Sequence, residues 1–365
     1  MHLQTVGIIG LGLIGGSMAK TIKKHMPNIQ ILAYDKNQDA LIQASSEKVI
    51  DGFSHLSVSV LEPADLIILC AEVKENIQLL NELKPYLSKE TIISDVGSVK
   101  EEVVTIMKQE GLSTNFIGGH PMAGSEKSGY ENATDFMFEN VYYILTPTED
   151  TPEHLTNSFS EFLLNLKILP KVMTPQMHDY ATAAVSHFPH ILASSLVNVV
   201  SSLDDEEETF KQIAAGGFKD ITRIASSSPE MWRQICLSNK SAICDIISAF
   251  KKQLDKMEQF VCSANSDQIY HFFEDAKNYR DSLQIKSKNT LEGAYEFYCD
   301  LVDKPGGIAT ITTILACNQL SIKNIGIIHN REYEQGVLRL SFYDNRSYNE
   351  AIEVLQGYNY TIYER

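Results

Sequence analysis

The first apolar run of the chain, VGIIG, leads straight into a glycine loop, Gly10-x-Gly12-x-x-Gly15, which opens a helix. Few arrangements tolerate three glycines at that spacing between a buried strand and a helix. Gly10 permits a tight turn, Gly12 lets backbone approach a pyrophosphate, and Gly15 lets helix and strand pack closely. The helix N-terminus then offers unpaired N–H groups and the positive end of its dipole to phosphates. Leu13 and Ile14, inside the loop, share that position. Asp35 ends the next apolar run, IQILAYD, where an acid can bind both hydroxyls of an adenosine ribose. A carboxylate there repels a 2′-phosphate, so the pattern favours NAD over NADP, although Lys36 beside it pulls the other way.

The same texture continues to about residue 172. VGIIG, IQILAYD, DLIILC, TIISDVG and YYILTP read as buried strands, with helical patterns such as Glu75 to Leu87 and Lys100 to Glu110 between them. Alternating strand and helix imply a mostly parallel sheet with helices on both faces, an α/β Rossmann domain over 1–172. From Thr174 the pattern turns helical. HDYATAAVSHFPHILASSLVNVVSSL is apolar almost all round and so is expected to be buried, and an all-α region over 173–286 suits dimerisation. The run DDEEE (204–208) reads as a solvated turn. A polar linker, KSKNTLEG (287–294), precedes a third unit over 295–365, read as strand, helix, strand, strand, helix, strand, with the last strand at Tyr358 to Tyr363. That order is the ferredoxin-like βαββαβ plan.

Composition narrows the class of protein. The 365 residues are 44% hydrophobic and 21% charged, as in soluble globular proteins. The net charge of −16 argues against nucleic acid or an anionic membrane as the main partner. No uninterrupted apolar run reaches the roughly 18 residues that cross a bilayer. The N-terminus lacks the basic and apolar regions of a signal peptide. Six cysteines without CxxC spacing suit reduced thiols, so a cytoplasmic location is expected.

Two loops follow strands toward the carboxyl end of the sheet, where open sheets bind ligands. One is SDVGSVK (94–100), with Gly97 and Ser98; the other is GGHPMAGSEKSG (118–129), with His120, Ser125 and Glu126. Ser98 and His120 are expected to meet near a nicotinamide. A dehydrogenase needs a base for the hydroxyl proton as hydride leaves the same carbon, and histidine titrates in the useful range. Ala71, after the DLIILC strand, is a further candidate cofactor contact. His187 and His190 share one helix face, with Pro189 between them expected to break the helical ladder. No third ligand accompanies that HxxH, so a metal site is not expected.

GGHPMAGSEKSG, with VSHFPH (185–190) and GFKDITRIA (217–225), resembles the prephenate dehydrogenases of tyrosine biosynthesis over about three quarters of the chain. The terminal unit, with DKPGGIATI (303–311), resembles an ACT regulatory domain. The resemblance implies NAD-dependent oxidative decarboxylation of prephenate to 4-hydroxyphenylpyruvate. On it, His120 matches the catalytic histidine and Ser98 the serine that aligns it. Arg223 matches the arginine that binds substrate, its planar fork suiting a carboxylate. Asp220 and Glu126 match acids able to pair with that arginine, and His190, with His187 as the weaker candidate, matches a substrate contact. Trp232 is a further lining residue or a core residue. Arogenate, the aminated substrate, stays open as an alternative, although no acid in these motifs is an obvious ammonium partner. A non-catalytic NAD-responsive regulator would need neither His120 nor Arg223. Tyrosine is the expected effector, held at the turn formed by Asp303, Gly306 and Gly307; a homodimer through the helical region is the expected assembly, with further assembly through the ACT-like units left open.

Overall fold

A computed structural model describes residues 3–124, 127–286, 295–301, 306–328 and 336–364. The chain forms two compact units, Met1–Glu258 and Gln259–Arg365. The division falls within a helix rather than at residue 287, and the polar stretch 287–294 lies outside the described residues.

The first unit opens with β1 (Thr5–Ile9), α1 (Leu13–His25), β2 (Gln30–Tyr34), α2 (Gln38–Ser46), β3 (Gly52–Ser54), β4 (Leu66–Leu69), α3 (Val73–Leu83), β5 (Ile92–Asp95) and α4 (Glu101–Gln109). These five strands form a parallel sheet in the order β3-β2-β1-β4-β5. Every residue of β1, β4 and β5 is buried, because helices cover both faces of the central strands. The strand order reverses direction between β1 and β4, so the crevice above that switch point lies beside the glycine loop.

β6 (Ile117–Pro121), β7 (Tyr142–Pro147), α5 (Glu153–Asn165) and β8 (Leu169–Val172) follow. They correct two expectations. The strands form a second sheet, β6-β7-β8, with β6 and β7 antiparallel, and an isolated bridge between Ile93 and Phe116 touches the first sheet. The GGHP sequence is also not a loop: it is most of β6, with His120 paired to Ile144. Glycine is required there for space. A Cβ on Gly119 would meet Ser94 Oγ at 2.6 Å and the Tyr143 hydroxyl at 2.7 Å.

The helical part comprises α6 (Pro175–Thr182), a π-helical turn (Ala183–His187), α7 (Phe188–Leu203), α8 (Thr209–Ile213), α9 (Gly216–Thr222), α10 (Pro229–Ser238) and α11 (Lys240–Cys262). Thr174 caps α6, its side chain accepting from the Met177 N–H. The wide turn lies immediately before Phe188 and Pro189, where a standard helix would need the N–H that proline lacks.

The expectation that this long helix is buried does not hold for a single chain. In α7 only Ala193 is buried, Val199 and Leu203 are 53% and 64% exposed, and Val185 in the π-helical turn is 69% exposed. The helical run 175–203 is also long and apolar enough to cross a membrane by length and composition, contrary to the reading from uninterrupted runs. Polar residues interrupt it without lowering its mean hydropathy enough. Several of them, His178, Asp179, Thr182 and His187, are buried.

The second unit holds the end of α11, α12 (Ser266–Lys286), β9 (Tyr295–Leu301), α13 (Gly307–Cys317), β10 (Ile322–Ile328), β11 (Gly336–Phe342), α14 (Asn345–Gly357) and β12 (Ile362–Glu364). Its sheet runs β10-β11-β9-β12 with antiparallel neighbours, the ferredoxin-like arrangement. Phe297, Leu338 and Leu340 of the sheet share a core with Ile311, Leu315 and Leu355 of the helices. The last strand starts four residues later than expected, because Tyr358 caps α14 and Asn359 turns the chain at φ 64°.

Candidate active site

The glycine loop is built as its spacing predicts. Gly10 has φ +90°, and a Cβ there would lie 2.7 Å from the Ala71 nitrogen. A Cβ on Gly15 would run into the Gly10 carbonyl oxygen, whereas at Gly12 nothing lies within 4 Å. Gly12 caps α1 and has no side chain to bond the first N–H groups of the helix, which leaves them available to a ligand. A cavity of about 510 Å³ lies here, lined among others by Gly10, Gly12, Asp35, Ala71, Glu72 and Glu75.

Asp35 also serves the loop itself. Its Oδ2 accepts the Leu11 N–H at 2.5 Å and its Oδ1 accepts the Asn37 N–H at 2.7 Å. Lys36 is held by Glu75 at 3.1 Å. The mouth of the cavity therefore carries Asp35, Glu72 and Glu75 against one paired cation, which repels a 2′-phosphate and suits a ribose diol. These residues fit NAD: the loop and the start of α1 would hold the pyrophosphate, and Asp35 the adenosine ribose.

His120 stands at the head of a chain of defined tautomers. Asp179 Oδ1 lies 2.7 Å from His178 Nδ1, so that nitrogen carries the proton it donates to the carboxylate. In the neutral His178 ring Nε2 is then a lone pair, and His120 Nδ1, 2.8 Å away, donates to it. The remaining nitrogen of His120, Nε2, is left as an unprotonated base. Burial is the main cause that holds the His120 imidazole well below the ordinary histidine range, and the nearness of His178, Lys100 and His187, which disfavours a further positive charge, acts in the same direction. Neither His178 nor Asp179 was singled out from the sequence. The only available signal was an adjacent His-Asp pair at the start of an apolar helix.

One carboxylate joins the two candidate catalytic segments. Asp95, at the end of β5, accepts the Gly97 N–H at 2.9 Å through Oδ2 and the Gly119 N–H at 3.0 Å through Oδ1. Gly97 precedes Ser98 and Gly119 precedes His120, so Asp95 sets the spacing between them. Its charge is met by the fully buried Lys100, whose ammonium donates to Asp95 and, at 2.8 Å, to the Gly119 carbonyl. Burial lowers the Lys100 pKa, opposed by Asp95. The backbone N–H groups of Lys100 and Glu101 both donate to Asp179 at 2.8 Å, so that acid also caps α4. No hydrogen bond joins Ser98 directly to His120 among the described residues; Asp95 ties together the glycines that precede them.

His187 and His190 both pack on Trp232. His190 stacks on the indole at 4.1 Å between centroids, and His187 meets it edge to face at 6.1 Å. Burial lowers the pKa of each, that of His187 to about 4. His190 hydrogen-bonds the backbone of Ile224, the residue after Arg223, and the Arg223 charge adds to the lowering at that ring. Arg223 is exposed and, among the described residues, makes no ion pair with Asp220. Ser125 and Glu126 lie outside the described residues, as does Asp303. Among the described residues no group of three or more His, Cys, Asp or Glu side chains is placed to hold a metal ion.

Comparison with known proteins agrees with this geometry. Residues 18–169 match the family model of the prephenate dehydrogenase nucleotide-binding domain, and 174–275 match that of the prephenate dehydrogenase dimerization domain. The chain is 40% identical to a prephenate dehydrogenase of Bacillus subtilis, over 97% of this chain and 96% of that one. It is 37% identical to one from Lactococcus lactis, over 97% and 98%. A crystal structure of prephenate dehydrogenase from Aquifex aeolicus, in complex with hydroxyphenyl propionate and NAD+, superposes with a TM-score of 0.72 at 32% identity. That likeness covers 78% of this chain and 99% of the other.

Proposed function

Because the chain belongs to the prephenate dehydrogenase family, we propose a reading of how its residues carry out that reaction. The activity is the NAD-dependent oxidative decarboxylation of prephenate to 4-hydroxyphenylpyruvate in tyrosine biosynthesis. Full-length relatives at 40% and 37% identity are prephenate rather than arogenate enzymes, and the activity makes a non-catalytic regulator unnecessary.

The observation that carries the mechanism is the free Nε2 of His120, left unprotonated by the hydrogen bonds through His178 to Asp179. The C4 hydroxyl of prephenate donates to this nitrogen and loses its proton as hydride leaves C4. Bound NAD supplies the hydride acceptor. Loss of the C1 carboxylate as CO2 returns an electron pair to the ring, which becomes aromatic, and the phenolic oxygen regains a proton. Aromatisation drives the reaction, so the protein's task is orientation and the handling of one proton. Ser98 aligns His120 and substrate. Arg223, with its guanidinium exposed, binds a substrate carboxylate, and His190 contacts the substrate beside it. Glu126 and Asp220 lie in the same motifs and tune access to that arginine.

The test is NADH formation from prephenate and NAD by the wild type and His120→Asn. The variant keeps NAD affinity and loses most of kcat; a fully active variant removes His120 from the role.

The helical region forms a homodimer, supported by its match to a dimerization domain and by the exposed apolar residues of α7. The free cysteines suit the cytoplasm. The ferredoxin-like unit works as an ACT-type module that binds tyrosine for feedback control. Gly306, at φ +88°, opens α13 without a side-chain cap, and Gly307 follows it, so backbone N–H groups are available to a carboxylate. Tyrosine that neither binds nor inhibits the full-length chain excludes this role.

A further inference from the structure

The aromatic cluster around Trp232 contains three buried polar atoms with no hydrogen-bond partner: His187 Nε2, His190 Nδ1 and Trp232 Nε1. The protonation of one of them follows from its neighbours. Asn239 Nδ2 donates at 2.8 Å to the Asp179 backbone carbonyl, which can only accept, so this atom is the amide nitrogen. The same nitrogen lies 3.2 Å from His187 Nδ1. An amide nitrogen has only protons to offer, so Nδ1 is a lone pair and the proton of His187 sits on Nε2. Burial keeps the ring neutral. His187 is 1% exposed, and its Nε2–H meets no acceptor among the described residues. The indole N–H of Trp232, on the ring His187 touches, is a second donor without an acceptor. Unanswered buried donors are costly, and two on adjoining rings, packed with His190 on one indole, match an oxygen that carries negative charge.

We propose that Asn239 is a positioning residue for the reaction. It locks His187 as the Nε2–H tautomer, so that His187 and Trp232 donate to an oxygen of the anionic substrate. This rests on the prephenate reading above. Asp179 then orders both histidine systems, His120 through its carboxylate and His187 through its backbone carbonyl.

Two pairs of variants test the idea, assayed with prephenate and NAD. In His187→Gln the amide nitrogen reaches the place of Nε2 and still donates; in His187→Asn it does not. Asn239→Asp replaces the donor with a carboxylate that draws the proton to Nδ1, and Asn239→Leu removes the group. We expect kcat/KM for prephenate to fall about 10- to 100-fold in His187→Asn and Asn239→Asp, mainly through KM, the range of a lost hydrogen bond to a charged group. His187→Gln should keep at least a tenfold advantage over His187→Asn. NAD affinity should not move, which separates the effect from general unfolding. Direct binding of 3-(4-hydroxyphenyl)propionate should weaken in parallel. Imidazole ¹⁵N shifts of the histidine-labelled full chain, with the His187 signal assigned by its loss in His187→Gln, should show that ring protonated at Nε2 and switched to Nδ1 in Asn239→Asp. Wild-type prephenate KM in both His187→Asn and Asn239→Asp overturns the proposal, as does equal loss in the Gln and Asn variants of His187. A wild type inactive with prephenate would instead defeat the functional reading itself.

Discussion

Nδ1 of His120 and Nε2 of His178 are 2.8 Å apart, and the proton between them belongs to His120. The assignment depends on Asp179, whose carboxylate claims the other proton of His178. Replacing Asp179 by Asn lets His178 turn over its tautomer and removes the reason for His120 Nε2 to stay free. Asp179→Asn and His178→Leu should each lower kcat by about 10²- to 10⁴-fold, the range for a misdirected general base. Stopped-flow turnover with NAD affinity measured alongside checks this, and an unchanged kcat refutes it.

The lowered pKa of His120 has a direct kinetic consequence. A base is competent when unprotonated, so the acid limb of kcat/KM should fall below the ordinary histidine value of about 6.5. A pH profile of kcat/KM for prephenate reads that limb.

Stability should carry the same signature. His187 binds its proton near pH 4 when folded and near 6.5 when unfolded, so the unfolded chain takes up more protons between those values. The stabilisation is present above pH 6.5 and is lost as pH falls toward 4. Thermal midpoints measured from pH 7 to 5 should drop in the wild type and drop less in His187→Gln.

Lys100 is fully buried against Asp95. Lys100→Met leaves an uncompensated carboxylate in the core and should cost about 3–5 kcal/mol. Urea titration gives the figure. Because Asp95 also holds Gly97 and Gly119, Lys100→Met should lose kcat as well, while Lys100→Met with Asp95→Asn should recover part of the stability.

Asp35→Ser removes the acid at the cofactor mouth and one contact that orders the glycine loop. NAD affinity should fall about tenfold or more, as expected for a lost charged hydrogen bond, while binding of NADP changes less or improves. Fluorescence titration with both nucleotides distinguishes the cases.

Val199→Asp with Leu203→Asp places two charges on the exposed apolar face of α7. If that face joins two copies, sedimentation should show a shift toward monomer with little change in the NAD affinity of the first unit.

The local chemistry of the chain determined much of the outcome. A strand, three spaced glycines and an acid specify a nucleotide loop because backbone sterics and a helix terminus act over fewer than forty residues. The helical and βαββαβ patterns likewise follow from periodicity. His120 could be singled out because histidine beside glycine and proline fills no core. Its working form could not. His178 and Asp179 come from a helix 58 residues downstream of His120, and within that helix they look like ordinary polar interruptions. Asp95 and Lys100 belong to a recognised loop, but their burial and their grip on Gly119 arise only where two strands pack. GGHP reads as a loop because glycine is a poor strand former, whereas the crowding by Ser94 and Tyr143 that demands glycine exists only in three dimensions. Likewise, an apolar helix has the same sequence whether its own core or a second copy covers it. Tertiary structure decided these points, because tautomers, burial and steric demand depend on groups distant in sequence meeting within a hydrogen bond's length.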